Sequence, residues 1–503
     1  MLGRARRPVA TLCLVVLAFD VVSCHHTVQR DAAAGLKLKP DSQPVEHLVG
    51  VTLNDGRVIL FDKQVVTTLE RDTLFSFVSL KPVAVPMADV QRLWLESIDP
   101  ARTTLAVIGT AAAVFAVALG IAIATKESCP FVYSWDGTRY VFDAEPYGGA
   151  VTRGLERDDY GDLDHLRADS AGMYRLLVTN EVNETQYTNS MRLMVVDHRP
   201  GARFAMDEFG RVHSVTSALP PVSARDQNGR DLTPWLRATD DLIWETLPAA
   251  DPAGRVRDEI VLTFPKPRHA TSARIVARAG TGMWGSHMIR ELLAMRGSAV
   301  RDWYASIDSS RPAQDSLRAW NIQEELYVLK LDVDESGTWR PRALLAGGGP
   351  FITETRVVPL DVSHADGDSL RLRIRPPMGF WALNSFAVSY DDDERPVAID
   401  TIAPLTARTS DGRDMLAALS ADDDQYYPMP TKSDRALVTF RAPAPRPGME
   451  RTIFLHTRGY YQLHLDESGA PDVAMLNRVA TVPDAAARLA AERYAARRMA
   501  TAH

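Results

Sequence analysis

Gly280, Gly282 and Gly285 form a G-x-G-x-x-G string between an apolar run, ARIVARA, and a helix-like run, SHMIRELLAM, with Asp302 downstream. That pattern belongs to turns whose backbone N–H groups cradle a dinucleotide pyrophosphate. The chain contains its own control, because the corresponding stretch of a second repeat reads Thr457-Arg458-Gly459-Tyr460-Tyr461 and keeps only the middle glycine. Such a cradle needs all three glycines, and it sits in alternating strands and helices. No such alternation surrounds this one, so no cofactor is expected.

Other chemistry-bearing residues are weaker still. Glu156, Asp158, Asp159, Asp162 and Asp164 form one acidic cluster, with further ones at 391–394 and 422–424. Calcium takes six to eight oxygen ligands, but none of these segments has a calcium-loop spacing, and solvated acidic turns are the simpler expectation. Asp240-Asp241 and Asp423-Asp424 recur in both repeats, which suits a turn or capping role. His287 and His464 also align, yet no nucleophile or partner carboxylate accompanies either, so structural histidines are expected. His25-His26 fall in a polar tether. Trp235, Trp244, Trp284, Trp303, Trp339 and Trp381 could line a glycan or peptide groove, though tryptophan in a β-sandwich usually belongs to the core. No catalytic, cofactor-binding or metal-ligating residue is assigned.

One residue is assigned a modification. Arg4, Arg6 and Arg7 precede an apolar run at 10–19, and Val21-Val22-Ser23-Cys24 then has the pattern of a bacterial lipobox. Cleavage after residue 23 would leave Cys24 to carry lipid, making residues 1–23 a signal peptide. Asp20 is unusual beside the apolar run, and the alternative is an ordinary signal or an uncleaved anchor. Thr103–Thr125 holds 23 residues without a charge. As a helix it would reach roughly 34 Å, enough to cross a bilayer. Gly109, Ala113, Ala116, Gly120 and Ala124 recur at helical spacing and offer a face for close helix packing and hence for a homo-oligomer or membrane partner. Arg102 and Lys126 are too balanced to orient it, so either envelope membrane is compatible. A net charge of −7 argues against nucleic acid. Of three cysteines only Cys129 lies beyond the signal and lipid sites, so no internal disulfide is expected.

The elements that must position these residues are stated twice. ARDQNGRDLTPWLRATDD (224–241) and ARTSDGRDMLAALSADDD (407–424) share nine of eighteen positions, and VLTFPKP (261–267) faces LVTFRAP (437–443). Gly148-Gly149 faces Gly348-Gly349 in the same way. Short alternating strands with Gly, Pro and Asp turns predict a mainly β chain with two tandem duplicated β-sandwich modules, at 128–300 and 320–480. A helical insert is expected at 286–325. A tether at 24–44 leads into a small β-barrel-like domain at 45–99, with hairpins around Asp55-Gly56 there and Asp136-Gly137 beyond the membrane helix. An exposed helix capped by Asp484 closes the chain at 484–503.

The strings CPFVYSWDGTRYVFDAE (129–145), LERDDY (155–160), YRLLVTNEVNETQYTNSMRLMVVDH (174–198) and RTIFLHTRGYYQLHL (451–465), with the GRD segments, resemble an uncharacterised family of bacterial envelope lipoproteins and membrane proteins with a duplicated β-rich region. Related segments occur in chains that carry β-propeller and helical-repeat domains. The resemblance covers about 129–480 and implies no activity, cofactor or site residue. The resulting expectation is a membrane-anchored envelope lipoprotein with a non-catalytic binding or scaffolding role and a protein or glycan partner. The alternative is an envelope hydrolase acting on glycan or peptide, with a site in one module.

Overall fold

The computed structural model describes residues 25–31, 43–45, 48–61, 67–70, 73–78, 81–98, 130–240, 242–246, 254–390 and 395–501. The three cysteines and the expected span at 103–125 lie outside them. Among the described residues no helix is long and apolar enough to cross a membrane.

The chain is mainly β, in several sheets. Two five-stranded sheets have the same order of equivalent strands. One runs Tyr140–Ala144, Phe131–Trp135, Met173–Thr179, Arg435–Arg441, Thr406–Thr409; the other runs Thr338–Ala346, Val328–Glu335, Ser369–Ile374, Ile260–Pro265, Ser223–Asp226. Each packs on a partner sheet. The first partner contains Arg157–Asp162, Glu450–Leu463 and Glu184–His198, with Tyr427–Met429 beside the last. The second contains Glu354–Asp361, Ser272–Thr281, Trp381–Ser389 and Leu242–Glu245. Period-two burial drives both packings. Leu176 and Val178 face Leu193, Val195 and Ile453 in one core, and Leu262, Leu331 and Leu372 face Ile275, Phe386 and Val388 in the other. Each such leucine contributes roughly 2 kcal/mol.

The repeats do not segregate into one module each. Unit I joins the first half of repeat one (131–198) to the second half of repeat two (398–463). Unit II joins the second half of repeat one (223–281) to the first half of repeat two (328–389). Met173–Thr179 therefore pairs antiparallel with Arg435–Arg441, and Ile260–Pro265 with Ser369–Ile374. The halves have been exchanged within one chain.

The shared sequence builds the same turn in each unit. Leu232 N donates to Ala224 O at 2.7 Å and Met415 N to Ala407 O at 2.8 Å. Gly229 and Gly412 adopt φ of 78° and 88°, where a side chain would be strained. Asp231 and Asp414 accept from the backbone N–H two residues on, each at 2.9 Å. They stand one residue before the N-caps, Leu232 and Met415, of α1 (Thr233–Leu236) and its counterpart Leu416–Ser420.

The N-terminal region forms no closed barrel among the described residues. Leu48–Leu53, Val58–Leu60 and Val90–Ile98 extend one sheet of unit II, while Gln43–Val45, Thr67–Glu70, Thr73–Val78 and Lys81–Pro86 form a separate four-stranded sheet. Val51, Leu74 and Leu93 fill the small core between them. Residues 25–31, expected as part of a tether, are a strand that bridges Leu242–Glu245 and Val90–Ile98, so backbone pairing continues the sheet instead of closing it. The hairpins around Gly56 and Gly137 form as expected, at φ of 85° and 103°.

The insert is three helices, α2 (Met283–Ala294), α3 (Val300–Ser309) and α4 (Arg311–Glu324). After α5 (Leu416–Ser420), the chain ends in α6 (Val473–Thr481) and α7 (Ala485–Thr501). The closing helix is not simply exposed: Ala486, Leu489 and Ala490 are buried in the core of unit II. Trp284 Nε1 donates to Ala490 O at 3.2 Å. Arg257 fixes the start of α7, bonding Asp484, Glu325 and the Glu324 carbonyl.

Candidate functional site

A partly open apolar cavity of about 480 Å³ lies between α2, α3, α4 and α6. That falls within the roughly 300–1,000 Å³ of small-molecule sites. Leu292, Leu293, Trp303, Leu317, Trp320 and Val479 form much of its wall. Its polar groups are mostly committed: Trp320 Nε1 donates to Val479 O at 3.0 Å, and Asn321 Oδ1 accepts from Tyr327 N at 3.0 Å. Arg296 differs. Its guanidinium lies 4.2 Å from the centre of the Trp303 ring, and its Nε, shielded from solvent, meets no acceptor. No carboxylate pairs with it among the described residues. Burial pulls its pKa down to about 10, which leaves it charged at neutral pH. Thr281 leads directly into the three helices of the insert, whereas the equivalent strand Glu450–Leu463 is followed by α6 and α7.

A second cluster sits where the units meet, at the facing strands Arg157–Asp162 and Glu354–Asp361. Glu354 pairs with Ala279 as Arg157 pairs with Gly459, so Arg356 and Asp159 hold corresponding places. They bond each other at 2.6 Å, and Arg356 also holds Glu354 at 2.6 Å. Burial alone would raise Asp159, but Arg356 and Arg157 outweigh it and hold the carboxyl below its usual range. Burial raises Glu354 despite Arg356, with Asp159 and Asp162 adding repulsion. Burial, then Asp164, push Asp162 up to about 6. Asp162 and Asp164 open onto a cleft of about 730 Å³ whose wall mixes Arg203, Arg278 and Glu450 with apolar side chains such as Leu166, Phe204 and Val276.

The sequence-derived candidates do not converge. Cys24 is outside the described residues, as are 391–394. Gly280–Gly285 does form a strand-to-helix turn, but its amides are spent: Gly282 N donates to Phe380 O at 2.8 Å and Gly285 N to Gly379 O at 2.7 Å. A Cβ on Gly282 would fall 2.3 Å from the Gly379 oxygen, so the glycine permits protein packing where a phosphate would need space. Its strand is antiparallel to both neighbours, unlike a dinucleotide fold. His287 lies on α2 near Glu291 at 3.9 Å, whereas His464 follows a strand and bonds Thr185 at 2.8 Å. Asp158 is held low by the His456 hydrogen bond and by Arg458. No group of three metal-ligating side chains converges among the described residues. Trp235, Trp244 and Trp381 are core residues, Trp339 lies under Arg371 and Arg373, and Trp303 alone of the six lines the cavity.

Sequence reasoning missed two asparagines. Asn189 and Asn384 are the extra residues of matching β-bulges, and both are buried. Asn384 Nδ2 bonds the Asp240 and Leu242 carbonyls at 2.6 and 2.9 Å, and Asn189 bonds Asp422 and the Asp423 amide at 3.1 and 3.0 Å. Each therefore pins the double-aspartate turn contributed by the other repeat. The signal was present, as Asn189-Ser190-Met191 against Asn384-Ser385-Phe386. No protein-family model and no curated protein matches the chain.

Proposed function

We propose that this chain is a membrane-anchored lipoprotein of the bacterial cell envelope, held by lipid on Cys24 and by a helix at 103–125. Its two units descend from a tandem duplication, and its role is non-catalytic binding. The observation that carries the binding role is the cavity beneath the insert. It is apolar, it is closed by the insert together with α6, and its wall holds no nucleophile with a neighbouring base.

The test of binding is uptake of a neutral apolar fluorophore, phenylnaphthylamine. Leu317→Trp, which fills the cavity, should abolish the fluorescence gain while leaving the unfolding midpoint within a few degrees. Equal uptake by both proteins would contradict the binding role. The anchoring is checked by protease digestion of a C-terminal tag in intact cells, spheroplasts and lysate. Cleavage before lysis is the expected result, and protection until lysis would overturn the envelope assignment.

One observation favours the alternative, an envelope hydrolase. Asp162, raised to about 6, could act as an acid in the cleft beside Asp164. Loss of a measured glycan- or peptide-hydrolase activity in Asp162→Asn would establish it.

A further inference from the structure

Three features converge on the cavity beneath the insert. Its wall is apolar, so a ligand gains most of its affinity from burying hydrocarbon against Leu292, Leu317 and Trp320. One cation, Arg296, stands in that wall without a carboxylate and with Nε unfilled. Such a group is costly to bury unless an acceptor completes it, and a guanidinium fits a carboxylate through two parallel hydrogen bonds. Stacking on Trp303 holds the fork in place and lowers the entropy lost when an anion arrives. The indole of Trp320 and the Asn321 carbonyl oxygen are occupied by the protein itself, which leaves few polar groups in the wall to recognise a sugar or peptide backbone.

We propose that the cavity binds a long-chain fatty carboxylate, with the alkyl chain between α2, α4 and α6 and the carboxylate on Arg296. This rests on the binding role proposed above and specifies its ligand. The occupant is chosen by charge: an alcohol of the same length would fill the volume but leave Arg296 unpaired, and an amine would be repelled.

The experiment uses the full-length protein in membranes, photolabelled with a diazirine-bearing palmitate and, separately, with the matching diazirine hexadecanol. The acid should label peptides within 283–324 and 473–481, at least roughly tenfold more than the alcohol, as expected for a charge-assisted hydrogen bond. Arg296→Met should remove that preference by lowering acid labelling while sparing the alcohol, and Arg296→Lys should keep part of it. Leu317→Trp should suppress both probes. Equal labelling of wild type by acid and alcohol, or an Arg296→Met protein that keeps its preference, would overturn the carboxylate assignment while leaving the binding role intact. Absence of labelling by either probe within those helices, together with failure of fluorophore uptake, would remove both.

Discussion

Unit I and unit II share their strand order, their GRD turn and their bulge asparagine, and they differ where each faces something outside itself. The N-terminal strands continue a sheet of unit II and the closing helix buries Ala486 and Leu489 in its core, while the helical insert spans the border, with Asp308 bonded to Thr152 and Gly154 of unit I. Their mutual border differs in a more instructive way. Corresponding residues meet there: Gly148 approaches Gly348 so closely that a Cβ would fall 2.8 Å from its oxygen, and Asp159 meets Arg356. In a symmetric dimer of identical chains, a residue on the axis meets itself, and two aspartates would repel. Fusing the copies allows one to become basic and the other acidic. The border thus records what a single chain can do that a homodimer cannot.

The largest effect should come from breaking that pair. Arg356→Met leaves Glu354 buried without its cation and Asp159 with Arg157 alone, and should cost about 3–5 kcal/mol in urea unfolding. Adding Asp159→Asn should recover part of the loss, because the two changes share one network. Additive losses would show that the border pair is incidental. A smaller effect tests the symmetry itself. Asn189→Ala and Asn384→Ala should each cost about 1–3 kcal/mol, since each strips partners from a turn of the opposite repeat. A loss at only one site would mean that the units are less alike than their bulges suggest.

The smallest effect concerns pH. Asp162 titrates near 6 when folded, against an ordinary value of 3.8, so the folded state binds its proton more tightly. Stability contributed by the neutral form is therefore lost as pH rises from about 4 to about 6, and the penalty is constant above that. Asp162→Asn should stabilise the protein by about 1–2 kcal/mol at pH 8 and by nearly nothing at pH 4. Thermal unfolding at both values checks the sign, and a gain at pH 4 that equals the gain at pH 8 would contradict it.

What could be read from the sequence was local. Asp-Gly hairpins, the GRD turns and the helical insert depend on neighbours in the chain, and each formed where expected. The exchange of halves was illegible for a physical reason: alternation in VLTF or LRLRI specifies a strand and its buried face, but not which repeat supplies the strand beside it. The cavity was illegible because α6, far along the chain, completes it. Arg296, two residues past the end of α2, carries no mark in the sequence, because what distinguishes it is the lack of a carboxylate partner among the described residues. The closing helix read as exposed because its alanines carry little hydrophobic signal, yet small size is what lets them pack against unit II.

The exchange makes one demand that no other arrangement makes. A fragment of residues 221–390 spans parts of two repeats but contains all nine strands of unit II, whereas a fragment of residues 130–300 is one repeat and contains half of each unit. Chemical denaturation of the two, with mass measured by light scattering, is therefore the most direct test. Monomeric 221–390 should unfold cooperatively, while 130–300 is unfolded or recovers structure only as an exchanged dimer. A monomeric 130–300 that unfolds cooperatively would show that each repeat closes on itself, and would contradict the account.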